Sequence, residues 1–195
     1  MHKTPNESLH RKSVSEFKDA EKTPIVVVLD NVRSLHNVGS VFRTCDAFLV
    51  RGICLCGVTA KPPHRDIEKT ALGATESVHW EYFDETTEAI RYLRSLNYRI
   101  IAVEQTDSSI SLEKYQPYAN EKVALVFGHE LYGVSEEVLA LCDDCIEIPQ
   151  FGTKHSLNIS VSAGIVLWDL FSKLRFGVQI YTPAQPLKVV HGDHP

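Results

Sequence analysis

Four runs of this chain are apolar at almost every position: IVVVLD (25–30), GICLCG (52–57), YRIIAVEQ (98–105) and VALVFG (123–128). A strand points successive side chains to opposite faces. A run that is apolar in both phases therefore needs cover on both faces, which is the signature of a parallel sheet flanked by helices. Segments with helical spacing separate the runs. Val38, Val41, Phe42 and Cys45 recur at the period of a helix. Asp84 is placed to cap a helix with Ala89, Ile90, Leu93 and Leu96 on one face. Ser135 is placed to cap EEVLALC, with two acids in the first turn where the helix dipole favours them. SVHWEYF (77–83) and CIEIP (145–149) read as further strands, and 156–174 as a long helix capped by Ser156 with Asn158 in its first turn. That helix is apolar on nearly every side, so it belongs in the interior or in a subunit interface. The expected fold class is α/β, a mostly parallel sheet with helices on both faces. Residues 24–174 form its body, 1–23 an N-terminal arm that is either a short helix or a mobile segment, and 175–195 an irregular C-terminal tail carrying three prolines.

In open α/β sheets, ligands bind beyond the carboxyl ends of the strands. The chemistry is therefore expected in the loops after Asp30, Gln105, Phe127 and Ile148. Three polar clusters fall there. The first is Asn31, Asn37, Gly39 and Arg43, where Gly39 permits a close backbone approach. Taken alone, this set also reads as a helix cap with a solvent-facing arginine. The second is GHELYGVS (128–135), two glycines around one carboxylate, Glu130. It has Val134 where a triphosphate-binding loop needs lysine, and no GxGxxG occurs in the chain, so neither nucleotide fingerprint is met. The third is IPQFGTKHSLNIS (148–160). Its Lys154 and His155 can meet phosphate, and its serine and asparagine stand at a helix start, a ready site for an anion.

The formal net charge of −5 is not that of a strongly basic nucleic-acid-binding domain, although a local basic patch can hold a phosphate backbone on an otherwise acidic surface. Five cysteines and no apolar signal stretch in MHKTPNESLHRKS argue against a disulfide framework and point to the cytoplasm. Cys142 and Cys145 have knuckle spacing, but Cys54 and Cys56 alternate within a strand as small core residues do, so no metal site is expected. No apolar run approaches the ~20 residues of a membrane span.

Taken together and in this order, NVGSVFRTCDAF, VFGHELYGVS and IPQFGTKHSLNISVSAGIVL resemble the three motifs of the SpoU/TrmH class of SPOUT RNA methyltransferases, with KTALGATESV similar to a weaker segment between them. The resemblance covers about residues 24–174. It implies a C-terminal trefoil knot, a homodimer, S-adenosylmethionine as methyl donor, and the ribose 2′-hydroxyl of a tRNA or rRNA as acceptor. By motif, Gly128, Ile148 and Leu157 are the donor contacts, with Glu104 at the end of its strand as a further one. Arg43, Glu130, Ser156 and Asn158 form the active site, Asn37 orients Arg43, and in the dimer Arg43 serves the partner's donor pocket. The sequence departs from the family pattern at His129, where asparagine is frequent, and at Gln150-Phe151, where IPM-x-G is common. Neither departure removes a catalytic residue. Two other readings are an RNA-binding member with little activity and a base methyltransferase of the same fold.

Overall fold

The computed structural model of the chain describes residues 1–118 and 120–177. A 3-10 turn (Asn6–Leu9) and α1 (Val14–Asp19) precede β1 (Thr23–Asp30), α2 (Leu35–Ala47), β2 (Val50–Cys56), α3 (Arg65–Ala71), α4 (Ala74–Ser77) and β3 (Trp80–Phe83). Then come α5 (Thr86–Ser95), β4 (Arg99–Val103), β5 (Ile110–Ser111), β6 (Val123–Phe127), α6 (Glu136–Leu139), β7 (Asp144–Glu147) and α7 (Ile159–Phe176). The strands form one seven-stranded sheet in the order β3-β2-β1-β6-β4-β7-β5, with every pair parallel.

The doubly apolar runs are explained by two cores. Ile25, Val27 and Leu29 of β1 face one core, together with residues of α1 to α4 and α7. Val26 and Val28 face the other, with α5 and α6 above them. Cys54 and Cys56 belong to this second core, and burial pushes the Cys54 thiol up to about 12, so it is a neutral packing group. Among the described residues no group of three or more His, Cys, Asp or Glu is arranged to hold a metal ion, and no helix is long and apolar enough to cross a membrane.

The N-terminal segment carries α1, closed by a capping box between Ser13 and Glu16, and Phe17 is buried in the first core. The long C-terminal helix starts later than its apolar pattern suggests. Its N-cap is Asn158, whose side chain accepts a hydrogen bond from Ser160 N, so Ser156 is not the cap. The helix buries one side and leaves Val161, Ile165 and Trp168 exposed on the other. Lys173 on the buried side donates to the carbonyls of Leu112 and Tyr115 at 2.9 and 2.8 Å and pairs with Asp169 at 2.6 Å, which ties the segment after β5 to the helix.

Two further expectations are corrected. Residues 77–83 are not one strand. Ser77 ends α4, held by its hydroxyl to Asp46 and to the Ala74 carbonyl, and only Trp80–Phe83 pairs with β2. Asp84 does not cap α5. The N-cap position is Glu85, and the helix start is fixed by Thr86, whose hydroxyl donates to Asp30 at the end of β1. Leu96, expected on the apolar face, is an exposed residue just past the helix. The tail reading of 175–195 meets the structure only as far as Gly177, which ends α7 in the left-handed conformation. Residues 178–195 lie outside the described residues.

Candidate active site

The strand order places β1, β6, β4 and β7 side by side. All are parallel, so the loops at their carboxyl ends share one edge of the sheet. That is why three motifs scattered over more than a hundred positions meet.

The loop after β6 is a tight hairpin. His129 N and O bond to Gly133 O and N, both at 2.9 Å, leaving Glu130, Leu131 and Tyr132 at the tip. Two glycines make this turn possible. A Cβ on Gly128 would lie 2.1 Å from the Gly133 carbonyl carbon, and one on Gly133, at φ +66°, would lie 2.1 Å from Glu104 Oε2. The same Glu104 carboxylate, at the end of β4, accepts from Val134 N at 3.1 Å, so it holds the hairpin's far side.

Glu130 reaches back across the sheet edge to the loop after β1. Its Oε2 accepts from Arg33 N at 3.1 Å, and its Oε1 accepts from Ser34 N at 2.8 Å and Asn37 Nδ2 at 3.1 Å. Partial burial pushes this carboxyl's pKa up, but the hydrogen bonds from Arg33, Ser34 and Asn37 outweigh it and leave the pKa below the usual value. Asn37 is buried. Its Oδ1 accepts from Asn158 Nδ2 at 3.1 Å, and Asn158 Oδ1 accepts from both the amide and hydroxyl of Ser160. A continuous chain of hydrogen bonds thus joins the three motifs in the order Ser160, Asn158, Asn37, Glu130 and the Arg33-Ser34 backbone.

Beside this chain opens a cavity of about 670 Å³. Its wall includes Glu104, Gly128, Ile148 and Leu157, together with Glu130, Ser156 and Asn158. Gln105 Nε2 donates to the His155 carbonyl at 2.9 Å and fastens the loop after β4 to the loop before α7 across the cavity's edge.

Arg43 stands apart. Asn37 lies inside the first turn of α2, where Ser34 is the N-cap, rather than in the loop. Six positions further on, Arg43 is displaced by roughly 9 Å along the axis and about 240° around it. It is exposed, and the hydrogen bonds of Asn37's side chain among the described residues go to Glu130 and Asn158. Gly39 does permit a close approach, and the neighbour is a helix: a Cβ there would lie 2.2 Å from Ile67 O and Thr70 Oγ1, so it lets α2 pack against α3. Sequence reasoning missed the Arg33 and Ser34 amides, which carry no side-chain signature, and Ser160, whose role follows only from Asn158 being the cap.

An all-parallel α/β sheet with a cavity built from the loops at its carboxyl edge defines a class of small-molecule-binding α/β proteins. The chain belongs to the SpoU rRNA methylase family, whose model matches residues 24–168. It is 30% identical over 159 residues to the tRNA (guanosine(18)-2′-O)-methyltransferase of Thermus thermophilus, spanning 82% of this chain and 80% of that one. It is 31% identical over 161 residues to the 23S rRNA (guanosine-2′-O-)-methyltransferase RlmB of Vibrio parahaemolyticus, covering 83% of this chain and 64% of that one. Among solved structures it is similar to the TrmH/SpoU tRNA modifying enzyme of A. aeolicus, with a TM-score of 0.73 and 28% identity, covering 82% of this chain and 80% of that one. It is also similar to the AdoMet-bound rRNA methyltransferase of Sinorhizobium meliloti, with a TM-score of 0.71 and 27% identity over 79% of this chain and 59% of that one.

Proposed function

We propose that this chain is an S-adenosylmethionine-dependent RNA methyltransferase that modifies a ribose 2′-hydroxyl of tRNA or rRNA. The observation that carries the reading is the cavity, whose wall contains all four residues expected to hold the donor together with Glu130 and Asn158, which Asn37 joins. Its volume lies within the roughly 300–1,000 Å³ of small-molecule sites. Its lining combines the glycine loop with apolar residues such as Val103 and Ile148 and polar ones such as Glu104 and Ser156, which suits a ligand with a flat base and hydroxyl groups. Gly128, Ile148, Leu157 and Glu104 would hold the donor. When bound, the donor supplies an electrophilic methyl group on a sulfonium.

This chain's residues supply placement. Glu130 is held as an anion by three hydrogen bonds from Arg33, Ser34 and Asn37, so it acts as a clamp and not as a proton acceptor. It fixes the loop after β1 against the hairpin. Asn158 caps α7 and, through Asn37, sets the distance between the cavity's two walls. Ser156, exposed on the cavity wall, offers a hydroxyl to the acceptor ribose. Arg43 contributes a permanent cation that binds RNA phosphate and favours the alkoxide. A guanidinium has N–H donors and no acceptor atom, so it clamps phosphate and is not a proton acceptor. Alignment of the acceptor oxygen with the methyl group accounts for most of the rate.

The reading includes a homodimer in which Arg43 serves the partner's cavity. It is supported by the exposure of Arg43 and by the apolar stripe of Val161, Ile165 and Trp168 on α7. It also includes a methyltransferase domain over 24–174, a trefoil knot in its C-terminal half, and a cytoplasmic location. Calorimetric titration with S-adenosylmethionine, followed by methyl transfer to total tRNA and separately to rRNA, tests the reading. Saturable one-site donor binding and label in one RNA pool are expected. A folded protein that binds no donor refutes it.

A further inference from the structure

The hairpin that walls the donor cavity has a second side. There a cleft of about 690 Å³ opens between its tip and the loops after β1 and β2, lined by Asn31, Arg33, Val58, His129 and Tyr132 among others. The His129 and Tyr132 rings lie together at this tip, with centroids 4.9 Å apart and planes inclined by 35°. Tyr132 is 83% exposed, so its ring is held by its neighbour and not by the core. His129 is itself fixed, because its Nδ1 accepts from Leu131 N at 3.0 Å. Arg33 is exposed beside the cleft, and its guanidinium takes part in none of the ion pairs among the described residues. The cleft's lining includes one acid, Asp30, which is buried and accepts hydrogen bonds from Asn31 and Thr86. Between Asn31 and Arg43, and between Val58 and Arg65, the chain has arginine, lysine and histidine but neither aspartate nor glutamate. These two loops are thus locally basic, with the exposed Glu136 and Glu137 following Ser135 on the cleft's other side.

We propose that this cleft receives a nucleobase of the acceptor RNA, stacked on Tyr132 and His129, with Arg33 on the adjoining phosphate. The inference rests on the RNA methyltransferase reading and deepens it. Exposed aromatic rings beside an unpaired cation are the groups by which proteins hold single-stranded RNA, since every base has a face to stack and every nucleotide a phosphate. The geometry links the two sites. The hairpin bearing the rings is the one whose Glu130 clamps Arg33 and Ser34, so a base seated on one side sets the position of its ribose relative to the donor cavity on the other.

The test uses short single-stranded RNA oligonucleotides carrying 2-aminopurine, whose emission falls on stacking, titrated without donor into the full chain and into Tyr132→Phe, Tyr132→Ala and Arg33→Gln. The wild type and Tyr132→Phe are expected to quench with apparent affinities within about twofold of each other. Tyr132→Ala should lose about tenfold or more in affinity, together with the quench. Arg33→Gln should keep the quench at saturation, bind more weakly and show a shallower salt dependence. Equal thermal unfolding midpoints establish that the variants are folded. Undiminished quenching by Tyr132→Ala, or no quenching by the wild type, overturns the proposal. Because the titration needs no donor, quenching without methyl transfer would refute the enzymatic reading and leave the cleft standing, whereas transfer with an unchanged Tyr132→Ala would do the reverse.

Discussion

Replacing Glu130 by glutamine should weaken the fold by an amount that depends on pH. The carboxylate accepts three hydrogen bonds: from Arg33 N on one oxygen, and from Ser34 N and Asn37 Nδ2 on the other. Glutamine offers one acceptor oxygen. Placed toward Ser34 and Asn37, it turns two charge-assisted bonds into neutral ones, and its amide NH2 then faces the Arg33 N–H, donor against donor. Bonds to a charged group contribute roughly 1.5–3 kcal/mol and neutral ones about 1. Two weakened bonds, about 0.5–2 kcal/mol each, and one lost bond, about 1.5–3 kcal/mol, sum to about 2.5–7 kcal/mol, and the lower end of that range applies because Glu130 is only partly buried and Arg33 can turn to water. The glutamate pKa in the folded state is lowered from 4.5, so its stabilisation is complete above that value and is lost as pH falls through the lower folded value. Urea unfolding of both proteins at pH 7 and at steps from pH 5 to pH 3 is the assay. The gap between them should be about 2–3 kcal/mol at pH 7, constant down to pH 5, and should shrink below pH 4.5. A gap under about 0.5 kcal/mol at pH 7, or one that does not change with pH, refutes the assignment of Glu130 as an anionic clamp.

Three other variants probe the remaining parts. Arg43→Ala should abolish methyl transfer while donor affinity measured by calorimetry stays within about threefold of wild type, since Arg43 does not line the cavity; loss of donor binding in a folded variant contradicts its placement. Asn158→Ala removes the cap of α7 and the bond to Asn37, so unfolding experiments should show a loss of about 1–2 kcal/mol. Its turnover should fall by more than its stability does, and a wild-type rate would remove Asn158 from the site. Gly128→Ala puts a Cβ 2.1 Å from the Gly133 backbone, which has nowhere to yield without opening the hairpin; donor binding should be lost, and unchanged calorimetric affinity would show that the hairpin does not shape the cavity.

The sheet and its loops were readable in the sequence because both phases of the long strands are apolar, which only a doubly covered sheet demands. The convergence of the three motifs followed from parallel strands having their carboxyl ends on one edge. What joins the motifs was not readable. Asn37 bonds residues 93 and 121 positions away, and no local pattern reports such a pairing. The cap was misplaced at Ser156 because serine and asparagine both cap well and no local pattern separates them. It is decided by Asn158 having a non-helical ψ of 137° and using its side chain on Ser160. Gly39 signalled a close approach correctly, but the neighbour is helix α3, a short element whose sequence RDIEKTA has too few turns to show a clear apolar face.

The measurement that bears most directly on the account is the chemical position of the transferred methyl group. RNA labelled by this protein from methyl-labelled S-adenosylmethionine is hydrolysed completely in alkali. Cleavage needs a free 2′-hydroxyl, so a ribose 2′-O-methyl group protects the bond beside it. The account predicts label in alkali-resistant dinucleotides. Label in mononucleotides would place the methyl on a base and contradict it, and an RNA that binds without acquiring label would contradict the enzymatic reading altogether.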